Sequence, residues 1–531
     1  MHWKNGRWLL VAAILVLAGG CHLIVGIRDA EPYPPDAGAG GATACTPNQM
    51  QVCYRGPEQT DGVGVCRGGT QACTSDGEWG ACEGEALPGT EDCSAPEDED
   101  CNGYACSETL WVKQFGVQST SASPADVAVD PQTGDIYVTG SFSGVLPTGP
   151  DTLDVQSANS AAFLAKFDSQ GTVLWAKQFA AASGSYSIYG FSLVIDTQSN
   201  VVLSGVATPA VNLGGSDLPE GVFIGKFSPS GEYLWSQACQ ADYDWGLSAY
   251  VAVDPSSNDV VVAGTFAAFA PGTITCGNIA VMGTADVFVA KLAAADGTAL
   301  FLKEFGDAGV DLAYDVEVDG QGSILLTGAG NDVSFGGLPL TGGYIAKLAS
   351  NGSHAWSKGI GEGSLGDLEI DAAGDVAVTG TGTDTGSLNF GGEDLLPIGS
   401  RDLFVARLKG SGDHVWSRRF GSPGENLSGG GDLAVDHKGN LAVSGSIKGN
   451  VIIDGAILTG DSTPFIMTFD IDGKGVWSRT FGGGSFLSQT IAFSSLDELA
   501  VAGNFRLPAD FGKGLATPVG ESDLFLLKIA P

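Results

Sequence analysis

From residue 110 to residue 531, apolar residues arrive in runs of four to seven, each closed by Gly, Asp, Asn, Ser or Pro. The runs are rich in β-branched and aromatic residues, and helical spacing is absent over any useful length, so they predict strands. Four kinds of run recur in a fixed order. One ends in Asp: "DVAVD" (126), "SLVID" (192), "YVAVD" (250), "DVEVD" (315), "DLEID" (367), "DLAVD" (432), and in the last repeat "TIAFS" (490). A second carries a central glycine, as in "IYVTGSF", "VVLSGVA" and "VAVTGTG". A third reads "FLAKF" (163), "FIGKF" (223), "FVAKL" (288), "YIAKL" (344), "FVARL" (404), "FIMTF" (465) and "FLLKI" (525). The fourth starts at "LWVKQFG" (110) and returns as "LWAKQFA", "LWSQACQ", "LFLKEFG", "AWSKGIG", "VWSRRFG" and "VWSRTFG", at intervals of 55–66 residues.

Four strands repeated seven times is the pattern of an all-β, seven-bladed β-propeller. Over residues 110–531 it resembles the bacterial seven-bladed propeller repeats of the SBBP type. That resemblance implies a fold and little chemistry. With the strands labelled A, B, C and D in the order given, the chain opens on a D strand at 110–115 and closes on a C strand at 524–529. The last blade lacks a D strand of its own, so the first strand is expected to complete it and remove an open edge.

Antiparallel strands send the A–B and C–D turns to one face and the B–C and D–A connections to the other. The first face is terse, with turns such as "DPQTGD" and "SPSGE". The second carries the length and variety, and binding residues tend to lie in such loops. The loop "ADYDWG" places Tyr243 and Trp245 among Asp242 and Asp244, and Tyr186 and Tyr189 lie in the preceding D–A crossing. Rings beside acids suit a sugar, a cation or a basic peptide, so these six are the candidate ligand-binding residues.

Other repeated residues have architectural readings. Asp130, Asp196, Asp254, Asp319, Asp371 and Asp436 sit at A–B turns as caps. Trp111, Trp175, Trp235, Trp356, Trp416 and Trp477 pack between blades. Lys166, Lys226, Lys291, Lys347, Arg407 and Lys528 recur once per blade and pair or snorkel there. Cys239 replaces the phenylalanine of the fourth run, and Cys276 replaces a B–C phenylalanine (Phe335, Phe390, Phe511), which predicts a disulfide at one blade junction. No H-E-x-x-H, G-x-S-x-G or P-loop occurs, and the sequence names no catalytic residue. Paired carboxylates meeting across the propeller axis stay open.

The N-terminus has Lys4 and Arg7, an apolar run from Trp8 to Leu17, then Ala18-Gly19-Gly20 before Cys21, the layout of an export signal too short to span a bilayer. It resembles a bacterial lipobox, with Ala18 where Leu is usual. The resemblance implies a signal peptide at 1–20, lipidation of Cys21, a membrane anchor and an outer-membrane or cell-surface location. Residues 21–44, with "EPYPPDAGAGGA", form a flexible tether. The formal net charge of −36, from 25 basic against 61 acidic residues, excludes nucleic acid as a partner. Eleven cysteines fit an oxidising compartment.

Eight of those cysteines fall in residues 45–107, a module too poor in apolar residues to fold without staples. The stretch "CTSDGEWGACEGEALPGTEDCSAPEDEDCNG" resembles the MopE-type cysteine-rich metal-binding motif of bacterial surface proteins. It implies Asp98 and Asp100 as calcium or copper ligands, the alternative being a disulfide-stapled spacer. Function at this level reads as a lipid-anchored envelope propeller that binds or scaffolds an envelope protein, glycan or peptide. The alternatives are an envelope lyase or hydrolase with its site at the propeller mouth, and metal capture by the cysteine module.

Overall fold

The computed structural model describes residues 45–88 and 108–530, with residues 97 and 101, apart from loop positions 58–59, 150, 156–158, 182–183, 242–247, 267–271, 277–278, 284–285, 307–308, 423–425, 454–455 and 482–485. The described secondary structure is β throughout, without an α-helix. In blade 1 the strands Ser121–Val129, Ile136–Thr148, Ala161–Phe167 and Val173–Phe179 pair antiparallel in the order A-B-C-D. The A strands of blades 2 to 7 are Ser187–Ile195, Ser248–Val253, Leu312–Val318, Gly363–Ile370, Asn426–Val435 and Phe486–Phe493.

Blade 7 joins strands from distant parts of the chain. Thr109–Phe115 pairs antiparallel with Asp523–Ile529, with Trp111 opposite Lys528 and Phe115 opposite Leu524. The expected closure is therefore the observed one.

The apolar core is divided into seven clusters, one at each blade junction. Ala500, Ala502 and Leu524 of blade 7, for example, pack with Val138, Phe142 and Phe163 of blade 1. Ile345 and Ile360 of blade 4 pack with Leu365 and Phe404 of blade 5. Alternation along each strand buries one side against the blade before and the other against the blade after.

The repeated polar residues lock these junctions at the A–B/C–D face. The indole N–H of Trp175 donates to the Pro229 carbonyl in the C–D turn of the next blade, at 3.1 Å, and the Lys166 ammonium donates to the same oxygen at 3.2 Å. Trp235 and Lys226 share the Ala294 carbonyl, and Trp356 and Lys347 share that of Gly410. At the end of the same turns sits a glycine with positive φ, such as Gly473 (φ 80°), where a Cβ would lie 2.6 Å from the Trp416 ring. Only glycine satisfies both the left-handed turn and the close approach. Each lysine also reaches an acid of its own blade: Lys226–Asp196 at 2.8 Å, Lys291–Asp254 at 2.7 Å and Lys347–Asp319 at 2.9 Å. The same aspartates cap their turns, as Asp196 Oδ1 does for the N–H groups of Gln198 and Asn200.

Blade 6 breaks the rule with Thr468 in place of lysine. The blade that follows has no C–D turn, because its C and D strands are not consecutive, so a lysine would find no turn carbonyl to bind. Arg479 donates instead to Thr109 Oγ1, which donates in turn to the Phe511 carbonyl.

Several B–C connections build extra strands. Hairpins extend blade 1 (Ile136–Thr148 with Asp151–Val155) and blade 6 (Leu441–Ile453 with Ala456–Phe469). The B–C hairpin of blade 3, Gly272–Cys276 with Ile279–Gly283, pairs instead onto the D strand of blade 2 and makes that sheet six-stranded. Cys239 and Cys276 are directly opposite in this pairing and form a disulfide with a Cα separation of 4.1 Å. Phe305 and Phe335, at the corresponding positions one junction later, are in ring contact at 5.1 Å.

The described residues fall into two compact units, one of residues 45–53 and 69–85, the other of residues 54–68 and 86–530. Among the described residues the first contains the two-stranded ladder Met50–Cys53 with Gly69–Ala72 and the disulfides Cys45–Cys73 and Cys53–Cys82. Cys66–Cys101 belongs to the second.

Candidate functional site

The A strands surround a cavity of about 440 Å³ on the propeller axis. Two positions of the A-strand motif supply most of its polar lining. The first position gives one residue per blade: Asp126, Ser192, Tyr250, Asp315, Asp367, Asp432 and Thr490. The third adds Glu317 and Glu369, where Ala128, Val194, Ala434 and Ala492 stand in four other blades. Tyr314 and Gln489 complete the polar wall, and among the described residues no lysine, arginine or histidine lines it.

The aspartates bind the innermost strands together. Asp126 Oδ2 accepts the Leu193 N–H of the next blade at 2.7 Å. Asp315 Oδ2 accepts Leu368 N–H at 3.0 Å, Asp367 Oδ2 accepts Leu433 N–H at 2.6 Å and Asp432 Oδ2 accepts Ile491 N–H at 2.6 Å. In blade 2 the hydroxyl of Ser192 takes this role for Val251 N–H at 3.3 Å. Thr490 donates its hydroxyl to Asp432 at 2.6 Å. The carboxyls of Asp315 and Asp367, and those of Asp367 and Asp432, lie within hydrogen-bond reach of one another around the bore.

Enclosure and crowding dominate the electrostatics. Burial pushes Asp126 up to about 8, and the charge of Asp432 adds to the shift. Burial raises Asp315, Asp367, Asp432 and Glu369 well above the usual carboxylate range, with like charges reinforcing it, and lifts Glu317 to about 7. The backbone donors pull the aspartates the other way and are outweighed. All six residues are half-buried and open onto the cavity, so water moderates the desolvation. A ring of acids with no cation among the described residues of its wall cannot ionise fully at close range, which holds these carboxyls up. Two carboxyls in hydrogen-bond contact need a proton between them.

The bore thus provides acceptors for a cationic or hydroxyl-rich group, and carboxyls that hold protons near neutrality. The glutamates are less engaged than the aspartates. Glu317 Oε2 accepts the N–H of Val318 at 3.3 Å.

The residues predicted to bind a ligand are placed as follows. Tyr189 is 40% exposed at the start of the blade 2 A strand. Tyr186 is half-buried and packs against the cores on both sides of blade 1. Asp242, Tyr243, Asp244 and Trp245 lie outside the described residues, as do Cys21, Asp98 and Asp100. Cys239 and Cys276 are the disulfide pair described above. His354 and His414 repeat an architectural contact, each Nε2 meeting a serine hydroxyl three residues on, at 3.1 and 3.0 Å.

The axial acids were not singled out from the sequence. Their signal lay in the A-strand motif itself: an acid at the first position in four of seven repeats, and at the third in two.

The family description "beta-propeller repeat" (SBBP) matches residues 110–141, which span the closing strand and the first half of blade 1. No curated protein matches the chain. Among solved structures, BamB from Moraxella catarrhalis is similar at 10% identity and a TM-score of 0.36, over 80% of this chain and 99% of that one. The polysaccharide lyase Uly1 is similar at 10% identity and 0.38, over 85% and 94%. A quinohemoprotein alcohol dehydrogenase from Pseudomonas putida HK5 is similar at 11% and 0.38, over 78% and 76%. At these scores the likenesses carry no argument.

Proposed function

We propose that this protein is a lipid-anchored propeller of the bacterial cell envelope, held by Cys21 at the outer membrane or cell surface, that binds or scaffolds an envelope partner through its B–C/D–A face. The observation that carries this reading is the asymmetry of the two faces. The A–B/C–D face is built from repeated capped turns, with tryptophan and lysine tying blades 1, 2 and 4 to the turn of the blade that follows. The opposite face bears the connections that differ from blade to blade, including the origins of three hairpins and the exposed Tyr189. A rigid ring presenting varied loops is suited to recognition. The acidic balance of the chain favours a basic or polyhydroxylated partner over an anionic one.

Two variants test the reading. Cys21→Ser should abolish lipid labelling and leave the protein unprocessed or soluble; unchanged labelling removes the anchor. Tyr243→Ala combined with Trp245→Ala should abolish capture of an envelope partner by the otherwise folded ectodomain; unchanged capture of every partner removes the site.

A second reading, an envelope hydrolase or lyase, is favoured by one observation: Glu317 faces the bore with its carboxyl at about 7, suited to general acid–base work. Turnover of a small substrate that is lost in Glu317→Gln would establish it. Metal capture by the cysteine module would require calcium or copper in the purified protein that is lost on changing Asp98 and Asp100 to Asn.

A further inference from the structure

The axial acids carry an inference that is independent of the partner-binding reading. Blades 4, 5 and 6 meet at the axis through Asp315, Asp367 and Asp432, and each carboxyl does two things. One oxygen accepts the backbone N–H of the following blade: Leu368, Leu433 and Ile491 respectively. Each carboxyl also lies in the same cavity wall within hydrogen-bond reach of a neighbour in the row, Asp315 with Asp367 and Asp367 with Asp432. An oxygen can take a backbone N–H in either protonation state. The carboxyl–carboxyl contacts require a proton each.

We propose that Asp432, Asp367 and Asp315 form a proton-sharing chain that fastens the innermost strands of consecutive blades, making the propeller an acid-held ring whose bore loosens as the medium turns alkaline.

The groups facing this chain strengthen the effect. Glu369 extends from the same strand as Asp367, Glu317 from that of Asp315, and Asp126 adds a like charge from blade 1. Blade 3 contributes Tyr250 and blade 4 Tyr314, blade 2 the hydroxyl of Ser192, and blade 7 the neutral Thr490 and Gln489. Among the described residues no cationic side chain in the lining neutralises them. Deprotonation would therefore leave adjacent carboxylates repelling across the bore while still tied to neighbouring strands.

The sign follows from linkage. These folded-state values lie above the unfolded ones, so the folded protein holds more protons. Stability from the chain is fully present below the ordinary carboxylate value of about 4 and declines as pH rises through the raised folded values of Asp315, Asp367 and Asp432, with Glu317 (about 7) and Asp126 (about 8) titrating in the same direction. The peripheral ion pairs act oppositely: Asp254 is held at about 2, so its contribution is lost only in stronger acid. Together they move the stability maximum toward mild acid.

The test uses the full ectodomain. Thermal melting from pH 4 to pH 9 should show a falling melting temperature between pH 5 and pH 8, and infrared spectra at pH 7 should retain a protonated-carboxyl band. Asp367→Asn keeps an acceptor for Leu433 and donates to Asp315 without a titrating proton. It should reduce that band, flatten the decline and raise the melting temperature at pH 8 by about 2 °C or more. Asp432→Asn should flatten it similarly should the first variant fold poorly. A wild-type melting temperature that rises from pH 5 to pH 8, or the absence of protonated carboxyl at pH 7, overturns the proposal. So does an unchanged pH slope in both variants.

Discussion

At the residue scale, a small set of side chains repeated around the ring carries the junctions, and their value depends on burial. The ammonium of Lys291 lies 2.7 Å from Asp254, with both side chains less than a tenth exposed. Burial alone would push the Asp254 carboxyl up, but Lys291 and the donors of Ser256 outweigh it and hold it at about 2. Removing one partner of such a pair leaves an uncompensated buried charge. Lys291→Met should therefore cost about 3–5 kcal/mol at pH 7. The deficit should shrink as pH falls through the range where Asp254 is protonated, because the wild type loses the same contribution there. Urea unfolding at pH 7 and pH 3 measures both effects, and an equal deficit at the two values would refute the assignment. The exposed Lys409–Asp375 pair shows the contrast: its lysine is 57% exposed, so solvent screens most of the interaction.

At the scale of elements, the strands and their order were legible because a four-strand blade leaves a period-two pattern between turn residues and repeats it seven times. The closing strand followed from counting. The cysteine pair followed from substitution, since Cys239 and Cys276 occupy positions where other junctions place two phenylalanines. Changing both to alanine should cost about 2–4 kcal/mol in oxidised protein and nothing beyond cavity effects in reduced protein; equal unfolding midpoints in oxidised wild type and variant would contradict this. The axial acids were not legible. Asp126 and Asp130 both belong to "DVAVD", yet one faces the axis and the other caps a turn. Which residue does which depends on the A strand being innermost, a property of the curved sheet and not of local pattern. Likewise, nothing in "TITC" announces that the blade 3 hairpin adds to blade 2. The partner of an edge strand is fixed by tertiary placement.

At the scale of the whole molecule, stability resides in a closed cycle of seven similar junctions, so opening the cycle at one point affects all of it. Deleting residues 110–116 removes the partner of Asp523–Ile529 and exposes that edge. The truncated protein should melt lower and aggregate, as scattering during thermal unfolding would report; a melt and solution behaviour equal to the parent would contradict the closure. The same cycle separates a uniform, capped face from a varied one, and that division underlies the functional account. Oxidative footprinting of the purified protein, with and without an added envelope fraction, tests it most directly. Tyr189 on the loop face is 40% exposed, while Ile471 and Leu496 on the turn face are 47% and 71% exposed, so all three label in the free protein. Binding through the loop face should protect Tyr189 and leave Ile471 and Leu496 unchanged. Protection of Ile471 and Leu496 with Tyr189 still fully labelled would contradict it.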